Sequence, residues 1–168
     1  GDDRLSTIVL GTGEHVAEVS KTRFTDMNSL EIPSAMHIVG DPRVPKEEIV
    51  VVGGIKFKEG IQGTCHLQHL TLRQAKSSGV LGGSSFTMED VLVEQCGDSG
   101  VVAYGTGVVG RCTNVEVCQC GWSGVVANSG ASITLIGAKT TMHHNCTKGE
   151  SGSYGLEVYD SSSSTIQL

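Results

Sequence analysis

Large rings are scarce in this chain: its 168 residues include three Phe, three Tyr and one Trp. A core of this size without them has to be assembled from small and β-branched side chains. Proline is scarce too, at three residues, whereas glycine reaches 23. Apolar runs such as Ile49–Val52 span only a few residues, against the roughly 20 that a membrane-crossing helix needs. No apolar stretch follows the acidic start at Asp2 and Asp3, so no secretory signal or membrane partner is expected, and the missing initiator Met leads us to expect a trimmed start. Basic residues are few and unclustered. The 12 Lys and Arg against 18 Asp and Glu give a net charge of −6, which argues against nucleic acid and against a polyanionic ligand unless a divalent cation bridges the two. Charged residues make up 18%, below the usual figure of about 25%, which excludes a highly charged disordered chain. The length predicts one domain over residues 1–168.

Cys-x-x-Cys pairs are absent as well, although there are six cysteines, at 65, 96, 112, 118, 120 and 146. An even count fits a disulfide framework in a small secreted chain. Free Cys also behaves as a small hydrophobe, and a chain of this length has less need of staples. Reduced, mostly buried thiols in a reducing, cytoplasmic setting are therefore the expectation. Against it stands Asn145-Cys146-Thr147, which fits the N-glycosylation pattern.

What the sequence does have is a repeat. The segments HLTLRQAKSSGV (69–80), DVLVEQCGDSGV (90–101) and NVEVCQCGWSGV (114–125) register without a gap, and a looser copy starts at Lys139 and reaches Gly155 after a polar insertion at 147–154. The step from Gly79 to Gly100 is 21 residues and from Gly100 to Gly124 it is 24. Periods in the twenties belong to solenoids. Within each copy the apolar residues alternate, as in Leu70/Leu72, Val91/Val93, Val115/Val117 and Thr140/Met142, the period of a strand with one buried face. A second strand is expected at Val80, Val101/Ala103, Val125/Ala127 and Leu156/Val158. A third is expected at Phe86/Met88, Val108 and Ile133/Leu135, and again at Thr165–Leu168. No helical spacing occurs, which removes the leucine-rich solenoids of similar period.

These patterns predict an all-β chain: a single-stranded right-handed parallel β-helix of about six to seven coils with three short strands per coil. Like residues should then stack, Gln74/Gln95/Gln119 as an amide ladder, Ala75/Cys96/Cys120 as a column, and Gly79/Gly100/Gly124/Gly155 where the chain bends. Residues 1–30 are the least regular and are expected to form a first coil and cap, with regular coils over 31–168. The chain ends on Ile166, Gln167 and Leu168 without a covering segment, from which we expect either truncation or end-to-end self-association.

The V-x-V-x-x-C-x-x-S-G-V copies at 91–101 and 115–125, with TIVLGTGEHVAE (7–18) and MHIVGD (36–41), resemble the right-handed β-helix repeats of the pectate-lyase-like superfamily, including the carbohydrate-binding and sugar-hydrolase repeats found in some F-box proteins. That resemblance covers most of the chain and implies a fold more than an activity. The motifs that mark polygalacturonases, pectin methylesterases and alginate epimerases within the superfamily are absent.

Chemistry therefore has to be sought residue by residue. Arg73, Glu94, Cys118 and His143 should form one outward ladder, and Arg73, Glu94 and His143 are the catalytic candidates; the same residues equally fit a solvated polar face. Calcium would enter only with a lyase of this kind, and no other cofactor is expected. His66, His69, His143 and His144 offer four imidazoles, but neighbours on a strand point opposite ways, so no metal site is expected. Trp122 lies in the turn position shared with Asp98 and Ser77, where a core role is hard to arrange. With Tyr104, Asn128 and Tyr159 it could make a shallow face for a glycan or a protein segment; alternatively these rings cover the ends of coil turns. A non-catalytic recognition module is the leading expectation, followed by a uronan lyase or epimerase, then a purely structural solenoid.

Overall fold

The computed structural model describes residues 6–21, 26–149, 151–159 and 163–168. Asp2 and Asp3, part of the 1–30 segment, Glu150 within the insertion, and Ser161 and Ser162 near the end lie outside the described residues. Among those described there is no α-helix, and no helix long and apolar enough to cross a membrane.

Short apolar-alternating stretches become strands, in the order β1 (Ser6–Leu10), β2 (Gly13–Val16), β3 (Ser20–Lys21), β4 (Asp26–Met27), β5 (Ser29–Ile32), β6 (Met36–Gly40), β7 (Ile49–Val52), β8 (Gly54–Phe57), β9 (Cys65–Arg73) and β10 (Val80–Gly82). They continue as β11 (Phe86–Glu94), β12 (Val101–Tyr104), β13 (Val109–Thr113), β14 (Glu116–Cys118), β15 (Val125–Asn128), β16 (Ser132–Ile136), β17 (Thr141–His143), β18 (Leu156–Val158) and β19 (Thr165–Gln167). Apart from the antiparallel β3–β4 pair, every pairing is parallel, and the strands form two sheets consistent with a parallel β-helix.

Register sorts them into three rows. Row one runs β1, β6, the first half of β9, the first half of β11, β13, β16 and β19. Row two runs β2, β7, the second halves of β9 and β11, β14 and β17. Row three, a separate sheet, runs β5, β8, β10, β12, β15 and β18. The chain visits the rows in turn, so each connection is parallel and each residue pairs with its counterpart one repeat later. β9 and β11 serve two rows because they bend in the middle, at His69 (φ 53°) and Asp90 (φ 53°).

Inward side chains meet in stacked columns: Leu70 with Val91, Leu72 with Val93 and Val117, Val80 with Val101 and Val125. All are fully buried, as are Ala75, Cys96 and Cys120 in the turn between rows two and three. A hydrogen bond with Cys120, together with burial, pushes the Cys96 thiol far up. The six cysteines are unpaired. Leu156 and Val158 occupy inward positions but are exposed, because β18 is the last strand of its sheet and has a neighbour on one side only.

One expectation requires correction. The third strand was expected to carry Val108, but Val108 sits in the turn before β13, its N–H donating to the Gly105 carbonyl; the inward residues of β13 are Gly110 and Cys112. The Phe86 ring, within 2.8 Å of where a Gly110 Cβ would stand, fills that place and hides the alternation. The stacked glycines at 79, 100 and 124 do stand where a Cβ would be strained, though not through a left-handed backbone. At the turn that ends row two, the left-handed positions are Gln74, Gln95, Gln119 and His144 (φ 52–57°), with Gly53 beneath them at φ 134°. At the glycines the constraint is contact, since a Gly79 Cβ would lie 2.5 Å from Val93 Cγ1.

Candidate functional site

Two outer surfaces collect chemistry-bearing side chains. On row three, outward positions alternate with the buried Val and Ala. Leu81, Val102, Val126 and Glu157 share one outward column, and Tyr104, Asn128 and Tyr159 follow at the strand ends. The sequence-expected stripe Tyr104/Asn128/Tyr159 is thus in register, Tyr104 opposite Asn128 and the Tyr159 N–H donating to the Ala127 carbonyl.

Tyr104 is half-buried and lies against the preceding repeat, its hydroxyl 2.6 Å from where a Gly83 Cβ would stand. Burial raises its pKa, with Glu59 adding to the shift. Tyr159 is 51% exposed, and its hydroxyl is held up by a hydrogen bond to Glu157. Asn128 is half-buried and accepts a bond from the Ser129 hydroxyl at 3.2 Å.

Trp122 occupies the turn before β15, directly over Asp98, to whose carbonyl its N–H donates at 3.1 Å. It is 46% exposed. Lys148 stands 5.7 Å from the indole centroid and 3.5 Å from the Asp98 carboxylate, tying the two together. Trp122 stands in the bend before β15 and Asn128 at the last position of that strand, so they flank row three from opposite ends. Tyr154, at 58% exposure, fills part of the interval: its N–H donates to Ser123 Oγ at 2.8 Å. Ser123 Oγ in turn donates to the Glu157 carboxylate. Tyr154 and Lys148 were missed because they belong to the 147–154 insertion, where no repeat aligns them; Glu157 aligns with Val126 on β15, but its residue type does not recur in that outward column.

The second surface is the outside of row two. The ladder Arg73/Glu94/Cys118/His143 is in register. Arg73 Nε donates to Glu94 Oε1 at 2.6 Å, so both are engaged with each other rather than presented to a substrate. His143 turns instead to Glu116 on the neighbouring outward column, Nε2 to Oε1 2.8 Å. Cys118 is only 6% exposed. Burial, helped by the carboxylates of Glu116 and Glu94, pushes its thiol up to about 11.

His143 and His144 do meet, contrary to the expectation that strand neighbours diverge: their Nδ1 atoms are 2.8 Å apart, because the left-handed backbone at His144 breaks the alternation. The other imidazoles are engaged. His66 contacts Thr87 Oγ1 and Gln68 Oε1, and His69 contacts Asp90 Oδ2 at 2.6 Å and the Val44 carbonyl at 2.7 Å. The glycosylation-pattern residue Asn145 is also engaged. Its amide donates to the Val117 carbonyl and accepts from the Cys120 N–H, both at 3.0 Å, a use that competes with glycosylation. Asn28 makes the like pair of bonds to Gln74 and Lys76 at the same turn near the other end of the column.

An apolar cavity of about 800 Å³ opens inside the first repeat, lined by Ile8, Leu10, Val16, Leu30 and Ile38 with His15 and Glu31. No family of proteins, no curated protein and no solved structure matches this chain.

Proposed function

We propose that the chain is a non-catalytic recognition module that binds a glycan chain across the outside of row three. Its backbone is read as a right-handed parallel β-helix of the pectate-lyase-like kind, in six complete coils and the first strand of a seventh. The reading is supported above all by exposed rings at both ends of row three, Trp122 over Asp98 before β15 and Tyr159 beside Asn128 at the far end, with the Glu157 carboxylate on the outward column between them. Exposed aromatic faces stack on the apolar faces of sugar rings, and neighbouring amides and carboxylates take their hydroxyls. The net charge of −6 directs the choice toward neutral glycans.

A glycan array probed with the wild-type chain, then with Trp122→Ala and Tyr159→Ala, tests this. Each substitution is expected to weaken the bound glycan by about thirtyfold, the effect of losing a hot-spot contact of about 2 kcal/mol. Binding that survives both, or no binding to any glycan, contradicts the proposal.

A further inference from the structure

Of the buried cysteines, Cys118 alone is on an outward column. Cys65, Cys96, Cys112 and Cys120 are buried among core hydrophobics, whereas Cys118 lies between Glu94 and His143 in the row-two ladder, buried beneath polar side chains. Glu116, two residues back on β14, points to the same side, as the period of a strand dictates. His143 on β17 is directly opposite Cys118. The thiol, a carboxylate oxygen of Glu116 and a ring nitrogen of His143 all lie within 4.8 Å of one another.

We propose that Glu116, Cys118 and His143 form a binding site for a borderline-soft divalent cation of the zinc type. Thiolate, imidazole and carboxylate are the ligand set such ions take, at bond lengths of about 2.0–2.3 Å, which put the ligand atoms of a tetrahedral site roughly 3.3–3.8 Å apart. Binding is expected to draw the trio, whose ligand atoms lie within 4.8 Å of one another, to that spacing. Hard cations such as calcium and magnesium, which require oxygen ligands, do not fit the set.

The neighbouring imidazole completes the argument. Nδ1 of His143 lies 2.8 Å from Nδ1 of His144, which leaves Nε2, 2.8 Å from Glu116 Oε1, as the ring nitrogen on the side of the trio. A ring whose far nitrogen is held by a second polar group is the usual outer arrangement of a metal-ligating histidine. When the ion binds, the Cys118 thiol gives its proton to solvent and the sulfur becomes the ligand. Three protein ligands leave the ion a fourth position for water.

Titration of the intact chain with cobalt(II), followed by competition with zinc, tests the site. Cobalt is expected to bind at one equivalent with a thiolate-to-metal absorption band, and zinc to bleach it. Glu116→Gln and His143→Ala alter exposed or half-exposed side chains, so they report on the site even where Cys118→Ser fails to fold. Each is expected to weaken zinc by more than about tenfold, and His144→Ala by about tenfold, the effect of an outer-shell partner. Cys146→Ser should leave the band intact. Absence of a thiolate band in the wild type, or affinity unchanged in both His143→Ala and Glu116→Gln, overturns the proposal.

Discussion

At Gly100 a Cβ atom would stand 2.2 Å from Val117 Cγ1 and 2.7 Å from the Gly124 carbonyl oxygen. Neither neighbour can yield, since one belongs to a fully buried core residue and the other to the backbone of the next repeat. At Gly155, in the same column, a Cβ would meet nothing within 4 Å. Gly100→Ala is therefore expected to cost about 1–3 kcal/mol, the range for overpacking, and Gly155→Ala about 0.5 kcal/mol or less, measured by urea unfolding. Equal effects at the two positions would contradict the stacked column. The glycine spacing was legible in the sequence, but its cause was not. Repetition shows that a side chain is forbidden without showing whether torsion or contact forbids it. Likewise the Gln74/Gln95/Gln119 alignment was legible, and Gln95 Nε2 does donate to Gln119 Oε1 at 3.1 Å. That these glutamines take the left-handed turn is a backbone property that identity alone does not carry.

Between β6 and β7 the chain makes an element of another kind, a strap over residues 41–48 ending in a single 3-10 turn, Lys46–Glu48. It covers part of row two, where Thr71, although outward, is fully buried and donates to the Lys46 carbonyl at 2.9 Å. Three charged groups fasten it at the bend between rows one and two. Lys46 Nζ lies 2.6 Å from Asp90 Oδ1, His69 Nδ1 lies 2.6 Å from Asp90 Oδ2, and the far nitrogen of His69 meets the Val44 carbonyl.

The hydrogen bond to Asp90, with that to Val44, raises the His69 pKa. Burial works to raise the Asp90 carboxyl, but the Lys46 ammonium and the His69 ring outweigh it and hold it low. A raised histidine stabilises the fold below its ordinary pKa, and the contribution fades as pH rises through the folded value. A lowered carboxyl stabilises above its ordinary pKa and is lost as pH falls through the folded value. Both contributions are present together between about pH 4 and 6.5. Asp90→Asn should therefore cost on the order of 1 kcal/mol in that window, the partners being partly exposed. The loss should shrink above it, as followed by urea midpoints across pH; a loss that stays constant from pH 5 to pH 9, values set by the experiment around the imidazole range, would contradict the assignment. None of this was legible beforehand, because the strap repeats nowhere else in the chain and joins residues more than 20 positions apart.

Over the whole molecule, the information in the sequence is concentrated in what the repeats share. Inward positions recur because each is packed against its copies above and below, so Val91/Val93 and Val115/Val117 predict one another, and the strands at 69–73, 90–94 and 114–118 were readable as one element. Outward positions are under no such constraint. The ladder Arg73/Glu94/Cys118/His143 was placed in register by the repeat, yet the turn of His143 toward Glu116 depends on side chains from two columns. Trp122 over Asp98 followed from the alignment; Lys148 and Tyr154 beside it did not, because the 147–154 insertion has no counterpart.

Both surfaces, the aromatic one on row three and the thiol–imidazole–carboxylate one on row two, exist only if equivalent residues of successive repeats lie directly over one another. Proton–proton contacts across the strands of the isotopically labelled chain test that claim most directly. The account predicts the parallel pattern linking Val80, Val101 and Val125 in row three, and Val93 and Val117 in row two. Close pairs of α-protons typical of antiparallel neighbours at those residues, or no contacts between them, would contradict it.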